Sequence, residues 1–330
     1  MAPIRLGIIG LSTNPGSWAA AAHLPYLLSP HGRGHYNIVA LCNSAVESAH
    51  SAIETFGLPS DTRAYDDPND LAHDANVDLV VCSTRVDRHY ATIKPSISAG
   101  KAVFVEWPLA SNISQARELA SSAMSENIKC VVGLQGPVNA PIIRVRKLLE
   151  DGLIGKVLNS DVKSWGGTGK HNAIPESLSY FTQMAVGGNA ITIGFGHLWE
   201  FLQYALGDAY DIRTRLQLQQ PKADLTSTTG GIVGTVESDV PHLVSVTALL
   251  RPSQYIEKGA TTLVTYQRRP PYPGEPKFTW TITGERGELR LTAEGGTTPR
   301  TMASKPVKIE LHEFSTEIVR QVPWAWEPWR

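Results

Sequence analysis

The chain has 330 residues, 42% apolar and 18% charged, with a formal net charge of -1. That length exceeds one ordinary core and suits two domains, and the near-neutral balance excludes the basic footprint of a nucleic-acid or acidic-membrane binder. No apolar run approaches the roughly 18 residues of a membrane span, and the start, MAPIRLGIIGL, has no leader-like architecture, so a cytoplasmic protein without membrane contact is expected.

The first 135 residues alternate short apolar runs with helical patterns, the rhythm of repeated βαβ units. IRLGIIG, YNIVALCN, VDLVVCS, AVFVEW and IKCVVGLQ read as strands that are apolar on both faces, hence parallel and covered on both sides. WAAAAHLPYLL, ESAHSAIETFG, RHYATIKPSISAG and ISQARELASSAMSEN read as the covering helices, with Gly57 and Gly100 where C-caps belong. The expectation for residues 1–135 is an α/β, doubly wound Rossmann domain that binds a dinucleotide.

From residue 136 the rhythm changes. PIIRVRKLLEDG and GHLWEFLQYALG are amphipathic helices; then alternating runs dominate, at YDIRTRLQLQQ, HLVSVTALLR, TTLVTYQRR, FTWTITG, GELRLTAE and VKIELHEF, with TGERGEL a hairpin turn. Residues 136–330 are expected to form an α+β domain on an open, mostly antiparallel sheet, serving substrate binding and oligomerisation. Apolar area on an uncovered sheet face makes a homodimer the expected state. Cys42, Cys82 and Cys130 each sit in an apolar strand-like run without ligand-spaced partners, so buried thiols are expected and no metal site.

KAVFVEWPLA delivers Glu106 and Trp107 together to the carboxyl end of a strand, where ligands of open α/β sheets sit. In GIIGLSTNPGSWAAAAHL, Gly7, Gly10 and Gly16 surround the first strand-to-helix turn, where bare N–H groups and a helix dipole favour a pyrophosphate. The strict G-x-G-x-x-G is broken, since Ser12 and Pro15 replace its later glycines, and a tight turn without a ligand shares the pattern. Its place at the first strand of a doubly wound sheet favours the cofactor, with Gly10, Ser12, Thr13 and Trp18 as candidate contacts. The second strand ends at Asn43 and Ser44, neutral residues that leave NAD or NADP open.

Taken in order, GIIGL, CSTRVDRHY, SAGKAVFVEWPLA, VVGLQGP, LLEDGLIGKV, GGNAITIGFGHLWE and TGERGELRL resemble the glucose-fructose oxidoreductase, inositol dehydrogenase and rhizopine-catabolism (Gfo/Idh/MocA) family, over residues 4 to about 295. VEWPLA, GLQG and GFGH are most similar to a fungal branch that includes the galactose-regulon repressor, a branch in which dinucleotide binding also serves regulation without redox turnover. The resemblance implies that Ser83, Thr84 and Arg85 face the ribose and pyrophosphate, with Arg85 in place of a usual proline and His89 at the position of a following histidine. It places Glu106, Trp107 and Gln135 near the nicotinamide ribose.

The resemblance also implies a catalytic departure. Active members have Glu-Lys-Pro where this chain has Glu106-Trp107-Pro108, and an indole N–H donates a hydrogen bond but does not titrate. They carry an Asp four residues before the catalytic His, whereas here Ile193 precedes His197. His197, beside Phe195 and Trp199, is either a structural or capping residue or, as its family position implies, the candidate acid-base residue, and Glu200 either orients it or lies on a solvated helix face. Lys170, with Trp165 and His171 in SWGGTGKHNAIPESLSYF, either fills the missing lysine's role or belongs to an ordinary exposed loop. Tyr180, Gln183 and Tyr204 line the pocket or pack, and Trp324, Trp326 and Trp329 cover the sheet, join subunits or close a pocket.

Three functions fit these residues. One is an NAD(P)-dependent oxidoreductase acting on a hydroxyl or carbonyl of a small molecule, with His197 as acid-base. The others are a redox-neutral enzyme that retains the dinucleotide, for epimerisation or elimination, and a non-catalytic dinucleotide-sensing regulator. With no charged run or added domain to mark a protein-binding surface, the enzyme is favoured.

Overall fold

The computed structural model describes residues 2–14, 16–166, 172–299 and 306–326. Its contacts divide the chain into two units, Met1–Gly133 with Ala185–Gly188, and Leu134–Met184 with Asn189–Arg330. Among the described residues no helix is long and apolar enough to cross a membrane.

In unit one, six strands form a wholly parallel sheet: β1 (Ile4–Ile9), β2 (Tyr36–Cys42), β3 (Arg63–Tyr65), β4 (Leu79–Cys82), β5 (Ala102–Glu106) and β6 (Cys130–Gly133). Their order is β3-β2-β1-β4-β5-β6, so the winding reverses between β1 and β4. Six helices accompany them: α1 (Leu24–Leu27), α2 (Pro30–His35), α3 (Val46–Thr55), α4 (Pro68–His73), α5 (Val86–Ser98) and α6 (Ile113–Ser125). The pleat sorts the strand residues between two cores. Leu6, Ile8 and Leu41 pack with Leu24 and Ile53, while Ile9, Val80 and Val103 pack with Ile93, Ile97 and Leu119. Gly57 and Gly100, at φ +59° and +75°, end α3 and α5 as their sequence positions suggest. The expected first helix departs from regularity: Ala19–His23 is a π-helical turn that runs into α1.

One close approach defines the reversal point. Gly10 has φ +95°, and a Cβ there would lie 2.6 Å from the Ser83 carbonyl oxygen. Glycine is demanded both by conformation and by space.

In unit two, α7 (Ala140–Glu150) and α8 (Gly196–Leu206) cover one face of a large sheet. Its strands are β7 (Val157–Trp165), β9 (Ala209–Gln217), β12 (Leu243–Leu250), β13 (Ile256–Gln267), β14 (Phe278–Gly284), β15 (Gly287–Ala293), β16 (Val307–Glu313) and β17 (Ile318–Gln321), in the order β17-β16-β15-β14-β7-β13-β12-β9. All pairs are antiparallel except β7 with β13, which makes the sheet mixed. A smaller sheet holds β8 (Ala173–Pro175), β10 (Lys222–Thr226) and β11 (Ile232–Glu237). Ile142, Val145 and Leu149 of α7 and Leu198, Phe201 and Leu202 of α8 meet Val162, Val264 and Trp280 of the sheet. The tail joins this core, with the Trp324 indole N–H donating to the Val307 carbonyl at 3.0 Å. Trp329 lies outside the described residues.

The other face of the sheet is not covered by α7 and α8. Asp161, Lys163, Thr279, Thr281 and Arg290 stand on it, with Leu263 40% exposed among them. Leu243 and Leu249 of β12 are partly buried on the same face and Val319 of β17 is 60% exposed, so the face mixes polar and apolar groups.

Gly10→Ala is expected to destabilise unit one by about 2 kcal/mol, the scale of strain for a non-glycine residue at positive φ plus a backbone collision. Denaturant unfolding monitored by hydrogen exchange in β1 and β4 checks this, and wild-type protection in the variant contradicts it.

Candidate functional site

On unit one, the strand ends at the reversal point carry the candidate cofactor contacts. Ser83 N–H donates to the Ile9 carbonyl at 2.9 Å and Gly10 N–H to the Cys42 carbonyl at 3.0 Å, fixing the turns after β1, β2 and β4 against one another. The loop over 10–18 presents the N–H groups of Ser12 and Thr13, which meet no protein acceptor among the described residues. The Ser12 hydroxyl accepts from Asn14 N–H, and Trp18 is exposed just before the π-helical turn. Ser83 and Thr84 are partly open, and Ser44 is exposed.

Free amide donors beside hydroxyl side chains at a sheet's reversal point fit a dinucleotide, with Ser12 and Thr13 suited to the pyrophosphate and Ser44, Ser83 and Thr84 to ribose oxygens. The loop is longer than a tight glycine turn, and the helix after it starts irregularly, so the backbone N–H groups carry this fit rather than a regular helix end.

Three sequence-assigned contacts also make structural interactions. The Asn43 side-chain amide donates to the Leu11 carbonyl at 2.8 Å and the Ser48 carbonyl at 3.2 Å, and its Oδ1 is buried. Asn43 thus ties the first loop to the start of α3, leaving the ribose to its neighbours. Arg85 grips Asp87 through Nε and Nη2, each at 2.6 Å, which holds the Asp87 carboxyl below its usual range. His89 is 1% exposed, with Nδ1 2.8 Å from the Pro108 carbonyl and Nε2 3.0 Å from the Thr84 carbonyl. Burial pushes its pKa down. It braces the β4 turn against the corner after β5.

At that corner Glu106 and Trp107 are both partly buried, and the Trp107–Pro108 peptide is cis. Glu106 has a partner that sequence reasoning missed: His23 of the π-helical turn, whose Nε2 lies 2.5 Å from Oε1. The His23 ring also sits edge-on to Phe104 at 5.5 Å. In the sequence His23 is one polar residue in an alanine-rich helix, and only the π-turn places it.

On unit two, Asn189 starts a second π-helical turn, Ala190–Phe195, that leads directly into α8. Its side chain accepts from Ile191 and Thr192 N–H at 2.9 and 3.1 Å, and the Thr192 hydroxyl accepts from Asn189 N–H, a closed capping box. Gly194 leaves room for the Tyr266 hydroxyl, and Phe195 stacks on Trp199 at 5.9 Å. This scaffold sets His197, 5% exposed, in the first turn of α8. Glu200 follows on the same helix, and its Oε2 accepts from Gly136 N–H at 2.8 Å. Burial raises the Glu200 pKa, partly offset by that bond. Glu200 is therefore no solvated-face residue.

Gly194 and Ile193 also line a cavity of about 300 Å³ within unit two. Ile174, Leu178 and Phe181 form its apolar wall, while Asn172, Tyr266 and Arg268 supply polar groups. Gln135, partly buried, caps the short turn Gly136–Val138. Tyr180 stands edge-on to Phe181 at 5.0 Å, Gln183 is exposed, and Tyr204 packs under Arg146 and against the core. Trp165 lies beneath Arg269 at 4.6 Å. Lys170 and His171 lie outside the described residues. The three cysteines are unpaired, with burial pushing the Cys42 thiol up to about 12, and no acidic, His or Cys cluster suited to a metal occurs among the described residues.

Comparison with known proteins agrees with this division. The model of an oxidoreductase family with an NAD-binding Rossmann fold matches residues 4–134, and that of the Gal80p C-terminal domain matches residues 140–293. The chain is 30% identical to dehydrogenase aclE of Aspergillus oryzae, over 96% of this chain and 83% of the relative. It is 26% identical to the galactose/lactose metabolism regulatory protein GAL80 of Saccharomyces cerevisiae, over 89% of this chain and 68% of the relative. A super-repressor mutant of Gal80p from that yeast superposes with a TM-score of 0.84 at 23% identity, covering 97% of this chain and 81% of its own. Levoglucosan dehydrogenase, in complex with NADH and levoglucosan, superposes at 0.73 and 19% identity, covering 97% and 80%. The two superpositions establish the shared fold.

A pH-dependent outcome follows from Glu200. Its folded-state pKa is raised above the ordinary value of about 4.3, so ionisation opposes folding; the penalty is present above the raised value and absent below the ordinary one. Glu200→Gln keeps an acceptor for Gly136 N–H and removes the charge. It is expected to melt above the wild type in alkaline buffer, with the gap closing as pH falls through the carboxylate range. A variant that melts lower in alkaline buffer contradicts burial as the dominant cause.

Proposed function

The chain belongs to the Gfo/Idh/MocA oxidoreductase family, and on that premise we propose that it is an NAD(P)-dependent oxidoreductase acting on a hydroxyl or carbonyl group of a small molecule. The observation that carries this reading is the cavity in unit two, which is bordered by Ile193 and Gly194 on the very turn that leads into His197. A protein that senses only a dinucleotide has no use for it. The similarity to dehydrogenase aclE supports the same reading.

A bound nicotinamide supplies hydride transfer. The chain's own part is to hold the ligand and move a proton at its reacting oxygen, and His197 is the group assigned to that transfer, since neutral imidazole accepts a proton near neutral pH. Trp107 replaces a titrating lysine with an indole, so it contributes an apolar surface and no proton. Glu200 is assigned a positioning role, fixing the start of α8 to Gly136. Tyr180 and Lys170 remain assigned to the substrate side, and NAD or NADP to the Ser44, Ser83 and Thr84 edge. A homodimer is kept in the proposal on family grounds, and light scattering checks it against the chain mass of 35.9 kDa.

A second reading, a dinucleotide-binding regulator, is favoured by the match to the Gal80p C-terminal domain over residues 140–293. One comparison separates the two. Wild type and His197→Ala are assayed with NAD(H) and NADP(H) against a panel of alcohols and carbonyl compounds, following both nicotinamide absorbance and substrate mass. The enzyme reading predicts turnover that falls by ~10²- to 10⁴-fold in His197→Ala. Dinucleotide binding without turnover across the panel in the wild type favours the regulator. Turnover undiminished in His197→Ala removes the assigned base.

A further inference from the structure

The cavity of unit two is lined by a positive charge that no described residue neutralises. Arg268, one residue beyond β13, lines it, and its Nη1 is buried without an acceptor. No carboxylate among the described residues pairs with it; burial pushes its guanidinium pKa down, with only the Tyr266 phenol acting the other way. An unpaired, partly desolvated cation opposes folding.

A second unmet donor lines the same cavity. Asn172 Oδ1 receives the His242 Nε2 hydrogen at 3.0 Å, while Asn172 Nδ2 is buried with no acceptor. His242 is 2% exposed, and burial followed by the Arg268 charge lowers its pKa, so the imidazole is neutral and adds no charge of its own. The remaining arginine is already engaged: Arg269 Nε donates to Gln267 Oε1 at 2.6 Å, and its guanidinium lies over Trp165. Ile174, Leu178, Phe181 and Ile193 also line the cavity, and no carboxylate is among its described lining residues.

We infer that this cavity binds a small monocarboxylate with an apolar body, its carboxylate held by Arg268 and Asn172. One carboxylate brings two acceptor oxygens for two unmet N–H sources and a negative charge for the guanidinium that no acceptor meets. A phosphate brings three strong acceptor oxygens against two unmet N–H sources. A sugar brings hydroxyls but leaves the buried guanidinium uncompensated. The inference rests on the small-molecule reading of the cavity above and names the class of its ligand.

The test uses the whole protein without dinucleotide, in low-chloride buffer at neutral pH. Benzoate, phenylacetate and hexanoate are compared with their primary amides, with inorganic phosphate and with glucose, by thermal shift and calorimetry. The expected result is that at least one carboxylate binds and its amide binds at least tenfold more weakly. Arg268→Gln abolishes that preference, while its own ligand-free melting temperature equals or exceeds that of the wild type, since the unpaired buried charge is gone. Arg213→Gln, an exposed-charge control on β9, leaves binding unchanged. Equal binding of acid and amide, carboxylate binding that persists in Arg268→Gln, preference for phosphate or glucose, or no binding of any of the three carboxylates at millimolar concentration each overturns the inference. NADH affinity, measured separately on the same preparation, tests the cofactor reading, so either can fail alone.

Discussion

The dinucleotide side of this protein depends on how closely the backbone of β1 can approach that of β4. At Gly10 the chain runs onto the Ser83 carbonyl with no room for a side chain, and the surrounding turns are set by that approach. Ser83 N–H is tied to Ile9, and His89 braces the Thr84 carbonyl against the Pro108 carbonyl. The corner that presents Trp107 is thereby linked through one buried imidazole to the turn beside Gly10. Glu106 is linked from the other direction, through His23. A substitution at any of these backbone-holding residues, His89 included, acts on the whole rim.

Unit two is organised by buried charge. Glu200 and Arg268 both lose hydration, but they differ in what they gain. Glu200 receives a backbone N–H and fixes α8 to Gly136. Arg268 receives nothing for its Nη1, and the fold bears the penalty. Unmet polar groups concentrated in a cavity are the pattern expected where a ligand completes the structure. Ile193 lines the same cavity and adds apolar surface beside these groups.

The Rossmann unit was legible because parallel strands buried on both faces print as unbroken apolar runs, and because Gly57 and Gly100 mark helix ends by conformation. β3 and α4 escaped notice since RAY and PNDLAH are short and polar. β7 was hidden for a different reason. Its core-facing positions include Ser160, which accepts from the Trp280 indole at 2.9 Å, and Ser164, which donates to the Thr297 carbonyl at 2.7 Å. Hydrogen bonding lets these serines be buried and breaks the apolar alternation that strand recognition relies on. Of the site, Glu106, Trp107 and His197 could be picked out by motif, but His23 and Asn43 depend on a π-turn and a loop clasp that no periodicity signals. Arg268 looked like one more polar residue at the end of TTLVTYQRR; its importance comes from lacking a partner, which only coordinates reveal.

The account rests on unit one binding a nicotinamide dinucleotide, and calorimetric titration of the purified protein with NADH and with NADPH tests it most directly. It predicts saturable heat with at least one of them, at one molecule per chain. No heat and no thermal stabilisation with either at millimolar concentration would contradict it.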